Sequence, residues 1–129
     1  MPNKPYALEW LDISKRNLET AVLLFSNNHY TDVIAIDIHQ TLEKAFKAVY
    51  AYNCISIPKS HLLLPLFEYV LTRIEITEVS IDYILVISDY YETDRYPGPR
   101  YYFPSTEEIK IHIEIAKRIY DAIELHINK

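Results

Sequence analysis

Residues 31–52 read TDVIAIDIHQTLEKAFKAVYAY, and their spacing decides the fold. Ile34, Ile38, Leu42, Ala45, Val49 and Tyr52 recur at steps of four and three, one stripe of an α-helix starting near Tyr30 to Asp32. Beside it runs a second stripe, Ala35, His39, Leu42, Phe46 and Val49, which widens the apolar arc. So broad a face suits the central helix of a bundle, in contact with several neighbours. Glu43 and Lys47 stand four apart in the favourable order for a helix-surface pair, and Lys44 and Lys47 read as surface neighbours.

The flanking segments repeat the helical period. Ala7, Leu11, Ser14, Leu18, Ala21 and Phe25 form one stripe, with Lys15, Arg16 and Glu19 on the far side. Asn27 and Asn28 close this helix, because Asn tolerates the left-handed backbone that ends helices. Pro58 breaks the chain after the central helix, and Ser60 and His61 lead into a short helix over roughly Leu64 to Arg73, with Pro65 in its first turn. Thr77 can cap a fourth helix with Ile81, Ile84, Leu85, Ser88 and Tyr91 on one face. β-Branched residues crowd 74–87, so a strand competes there, but the absence of period-two alternation favours helix. Residues 92–104 hold three prolines and the only glycine, which forbids a regular element. Ser105-Thr-Glu-Glu108 is a capping box, and Ile109, Ile113, Ala116, Tyr120, Ile123 and Ile127 follow on one stripe. Residues 1–129 therefore read as a single all-α domain, an up-and-down bundle of four to five helices.

Composition narrows the function. Half of the 129 residues are hydrophobic, enough for a core without disulfides or metal. A net charge of −5 excludes binding to nucleic acid by bulk electrostatics, so any such site must be a local concentration of cations. The single glycine excludes Gly-rich phosphate loops, and the single cysteine, Cys54, excludes an internal disulfide framework and fits a reducing compartment. MPNKPYALEW has no apolar signal region, and no apolar run approaches a membrane span, so a cytoplasmic location is expected.

Candidate chemistry is sparse. His39 and Glu43 have the spacing of a metal-ligand pair, but no Glu-x-x-His unit repeats on two helices, so neither a metal nor a cofactor is expected. Cys54 could act as a thiol nucleophile with His61, or serve simply as a small packed hydrophobe, and no nucleophile elbow is present. No catalytic residue is assigned. The stretch from Asp94 to Arg100 carries more: Arg95 and Arg100 offer planar donor forks for phosphate, and Tyr96, Tyr101 and Tyr102 offer faces for a base. Composition alone favours the plainer alternative, in which Arg95 pairs with Asp89 or Asp94 while the tyrosines pack the loop to the bundle. Lys44, Lys47, Lys59 and His61 could add cations nearby.

Three blocks, in order along nearly the whole chain, resemble the HEPN family, the higher eukaryotes and prokaryotes nucleotide-binding domain. They are Ala35-Ile-Asp-Ile-His-Gln-Thr-Leu-Glu-Lys-Ala-Phe-Lys-Ala48, Pro58-Lys-Ser-His-Leu62, and Tyr90-Tyr-Glu-Thr-Asp-Arg-Tyr-Pro97 with the Pro104 and Glu107–Glu108 helix start. The resemblance implies an all-α bundle, a homodimer, and a nucleotidyltransferase protein as partner. It also implies metal-independent ribonuclease activity in toxin–antitoxin and defence systems, through an arginine followed after four to six residues by a histidine. This chain departs there: its nearest case, Arg118 and His126, has seven residues between, which leaves the two about two helical turns apart. The expectation is therefore a non-catalytic or weakly active protein that binds a nucleotide or RNA and works with a nucleotidyltransferase partner in a toxin–antitoxin-type pair, without the ribonuclease motif of active members. Arg95 and Arg100 would hold phosphate, Tyr96 would stack a base or pack the loop, and Lys47 and His61 would supplement the charge. The alternatives are a non-catalytic homodimeric interaction module and a ribonuclease with an atypical site.

Overall fold

Asn3 opens the first helix by accepting the Tyr6 amide on its side chain at 3.3 Å, with Pro5 in the first turn, where a missing N–H costs nothing. A computed structural model describes residues 1–93 and 97–129. Its helices are α1 (Lys4–Ser26), α2 (Thr31–Tyr52), α3 (Leu63–Leu71), α4 (Ile81–Thr93) and α5 (Thr106–Ile127), and no strand occurs among the described residues. The architecture is an all-α bundle.

The α1 stripe goes inward as its period demands: Ala7, Leu11, Ser14, Leu18 and Ala21 are all buried. Ser14 satisfies its hydroxyl by donating to the Thr41 carbonyl of α2 at 2.7 Å. Asn28 takes the left-handed backbone, φ 55°, in the turn to α2. α2 touches each of the other four helices, and from Ala45 to Ala51 every residue is buried. Its Phe46 meets Phe67 of α3 with ring centroids 5.5 Å apart. Each such large apolar side chain contributes about 1.5–3 kcal/mol through its burial.

Two elements differ from expectation. The fourth helix starts at Ile81 rather than after Thr77, because Glu78 sits at φ 64°, a left-handed conformation that no helix passes through. Ser80 opens it instead, accepting the Asp82 amide at 3.2 Å. The helix is also rotated from the expected face: Ile84, Ile87, Ser88 and Tyr90 are buried, while Ile81 and Leu85 are 49% and 43% exposed. Apolar residues stand on several sides of α4, so periodicity alone could not choose its buried face. Buried Ser88 accepts the Leu63 amide at 3.0 Å and so supplies the start of α3 that Leu62 cannot.

At α5 only half of the capping box forms. Ser105 accepts the Glu108 amide at 3.1 Å, as expected, but the Glu108 carboxylate turns to two tyrosines.

Candidate functional site

His39, Glu43 and Lys47 lie at successive steps of four along α2, so their side chains stack on one face. That face is inside the protein. The Glu43 side chain is 1% exposed and that of Lys47 6%. This corrects the expected surface pair: α2 is surrounded by helices, which leaves this face no access to water. Burial without partners would push Glu43 to its neutral form. Instead Oε2 accepts from Lys47 Nζ at 2.9 Å and from Lys44 Nζ at 3.3 Å, and Oε1 accepts from His61 Nδ1 at 3.1 Å. Burial acts to raise the Glu43 pKa. The hydrogen bonds from Lys47 and His61 and the charge of Lys44 outweigh it and hold the carboxyl below its ordinary value.

His39 completes this ladder. Its Nε2 lies 3.0 Å from the His61 carbonyl, which can only accept, so Nε2 carries the proton. Burial pushes its pKa down to about 4, so at neutral pH the ring is uncharged. Its Nδ1 lone pair then faces Glu43 Oε1 at 3.7 Å without a hydrogen bond. The connector between α2 and α3 is thus held twice at His61, by backbone carbonyl and by ring. The same ring stacks on Tyr91 of α4 at 4.4 Å and 19°.

Tyr90, the residue before, faces another cluster. Its hydroxyl donates to Glu108 Oε2 at 2.5 Å and accepts from His112 Nδ1 at 2.6 Å. Tyr102 donates its hydroxyl to the other Glu108 oxygen. Burial pushes the His112 pKa below its ordinary value, with the Glu108 charge opposing. Tyr101 donates to Asp32 at the start of α2 at 2.5 Å, so adjacent tyrosines tie residues 97–104 to two helices. Between α4 and this segment opens a cleft of about 280 Å³, lined by Val86, Asp89, Tyr90, Arg100 and Tyr102.

The expected site residues separate into two groups. Arg100 is exposed, lines the cleft together with Tyr102, and makes no ion pair among the described residues. Lys47 and His61 meet around Glu43 on the Tyr91 side of α4, where the Lys47 ammonium is enclosed. Arg95 and Tyr96 lie outside the described residues. The ring of His61 is engaged by Glu43 and Tyr91, while the Cys54 thiol donates to the Met1 carbonyl at 3.3 Å. Arg118 is bound to Glu78 at 2.8 Å and His126 lies edge-on to Tyr52, so each has its own partner. No group of three metal-ligating side chains occurs among the described residues, and no described helix is long and apolar enough to cross a membrane.

Sequence reasoning missed Glu43 as the centre of a cluster, and missed the bonding of Tyr90, Glu108 and His112. The first had a readable signal in the 39–43–47 spacing. The second joins α4 to α5 and leaves no trace in local pattern.

A helical bundle whose central helix carries a buried His–Glu–Lys ladder is the class of protein defined so far. The profile of the HEPN domain family matches residues 7–126, and the chain belongs to that family. Among solved structures, the crystal structure of TT1696 from Thermus thermophilus is similar in fold, with a TM-score of 0.76 at 21% identity over 93% of this chain and 97% of that one. No curated protein matches the sequence. Membership directs attention to nucleotide- and RNA-related function.

Proposed function

We propose that this HEPN protein binds a nucleotide or the phosphate-bearing end of an RNA in the cleft between α4 and residues 97–104. The observation that carries the reading is Arg100, a cation without an ion pair among the described residues, which lines the cleft together with buried Tyr90 and exposed Tyr102. A guanidinium donates in a plane to phosphate oxygens, and a partly exposed tyrosine ring gives a base a face to lie on. In a protein of net charge −5, such a site selects its ligand by local geometry rather than by overall attraction. Arg95 and Tyr96, in the adjoining segment, extend the phosphate-holding and stacking set. The protein works as a homodimer with a nucleotidyltransferase partner, in a toxin–antitoxin-type pair.

The test is thermal unfolding of wild type, Arg95→Ala and Arg100→Ala with a panel of nucleotides and a short single-stranded RNA. A ligand at a hundred times its Kd stabilises a native-state site by about 2.7 kcal/mol, a shift of several degrees for a domain of this size. A ligand-specific shift in wild type that disappears in Arg100→Ala is the expected result. No shift with any ligand overturns the reading.

A second reading, a homodimeric interaction module without a nucleotide site, draws on the outer face of α4. Ile81 and Leu85 stand 49% and 43% exposed there, apolar surface of the kind that interfaces cover. It predicts a dimer by sedimentation that Leu85→Glu dissociates, and no response to nucleotides.

A further inference from the structure

We propose that Glu43 is a positioning residue: through His61 and Tyr91 it fixes the last turn of α4, and with it the α4 wall of the Arg100 cleft. The mechanical part stands on geometry alone; the consequence for ligand binding rests on the reading of the cleft given above.

The chain of contacts is short. The Glu43 carboxylate, held in place by Lys47 and Lys44, accepts the His61 Nδ1–H. His39 holds the backbone of the same residue through its carbonyl. The His61 ring, fixed at both ends, lies flat on Tyr91. Asp89 and Tyr90, the residues just before Tyr91, line the cleft from the α4 side. A histidine whose side chain is 46% exposed has every reason to wander among rotamers. Here a buried carboxylate removes that freedom, which makes the ring a rigid strut between α2 and the end of α4. Tyr90, through Glu108 and His112, braces the same turn against α5, so α4 is held from two directions.

Two variants separate the carboxylate from the stacking. His61→Ala removes both contacts. His61→Phe keeps a ring for Tyr91 but cannot donate to Glu43. Both change a half-exposed side chain, so the fold survives, whereas a Glu43 variant alone strands the Lys47 charge. Amide hydrogen exchange on the full chain is the first readout. Residues 88–93 and 100–103 are expected to exchange at least tenfold faster in both variants, with α1 and the middle of α5 unchanged. Wild-type protection in His61→Phe, or equal acceleration in every helix, overturns the proposal.

The second readout is the Kd for 5′-AMP and for a short single-stranded RNA, compared with Arg100→Ala. At least tenfold weaker binding in His61→Phe, with Arg100 intact, is expected. Unchanged affinity beside faster exchange overturns the link from the ladder to the cleft. If wild type binds neither probe, the ligand reading fails while the exchange result still decides the mechanical one.

Discussion

Tyr90 and Tyr91 are neighbours in the chain, yet they reach polar clusters built on different principles. Tyr91 covers a cluster of charges: the Glu43 carboxylate, 1% exposed, surrounded by Lys47, Lys44 and His61. Tyr90 joins a cluster of hydroxyls, in which half-buried Glu108 is met by two tyrosines and, among the described residues, by no lysine or arginine. The difference follows from water. A carboxylate cut off from solvent needs opposite charge at short range to remain ionised, whereas one at the rim shares its solvation with water and needs only neutral donors. The first arrangement is accordingly the more fragile when one member is removed.

The largest effect expected from breaking this contrast is that of Glu43→Gln. It leaves the Lys47 ammonium buried without a counter-charge and should cost about 3–5 kcal/mol in urea unfolding. Adding Lys47→Met removes the stranded charge and should restore most of that loss. A single variant within about 1 kcal/mol of wild type would show that the ladder is not a coupled unit.

Next comes acid. Folded His39 stays neutral down to about pH 4, while the unfolded chain takes up that proton near 6.5. Stability therefore falls as pH drops between those values, by on the order of 3 kcal/mol for this group. His112, also depressed by burial, acts in the same direction. Glu43, lowered in the folded state, adds a further loss once the pH falls below its ordinary value of 4.5. Urea unfolding followed from pH 7 to 4 measures the slope, and His39→Gln should flatten it.

Tyr90→Phe tests the hydroxyl cluster. It removes one donor to Glu108 and one acceptor for His112, and should cost about 1–2 kcal/mol, less than the Glu43 change, because Glu108 keeps Tyr102 and water. A loss as large as that of Glu43→Gln would erase the distinction between the clusters. Smallest of all, Arg100→Ala should alter stability by no more than about 0.5 kcal/mol, since the side chain is exposed and has no ion pair among the described residues.

Much of this was legible in the sequence. Every buried residue of α1 belongs to the stripe read from its period, and Ser105 caps α5 as its capping box predicted. The expected α2 stripes are buried from Ile34 to Val49, and its end at Tyr52 matches. The failures have a common cause. Glu43 and Lys47 form an i,i+4 pair whether a helix faces water or protein, so their spacing could not reveal their burial. Glu108 stood in a capping box, but its carboxylate went to tyrosines 18 residues earlier and six residues earlier. The face of α4 was open because apolar residues occur on several of its sides.

What the sequence determined by itself is therefore what local chemistry can fix. Helical period, caps and prolines set which segments form helices and which stripe of an amphipathic helix goes inward. Three short blocks pointed to the HEPN family, and the family profile bears that out. What only the tertiary structure decided is where polar groups find partners. Surrounding α2 with four helices turned an apparent surface pair into a buried ionic ladder, and packing α4 against α5 drew Glu108 away from its own helix start. Desolvation is set by neighbours distant in sequence, and it decides which polar groups must bond to one another.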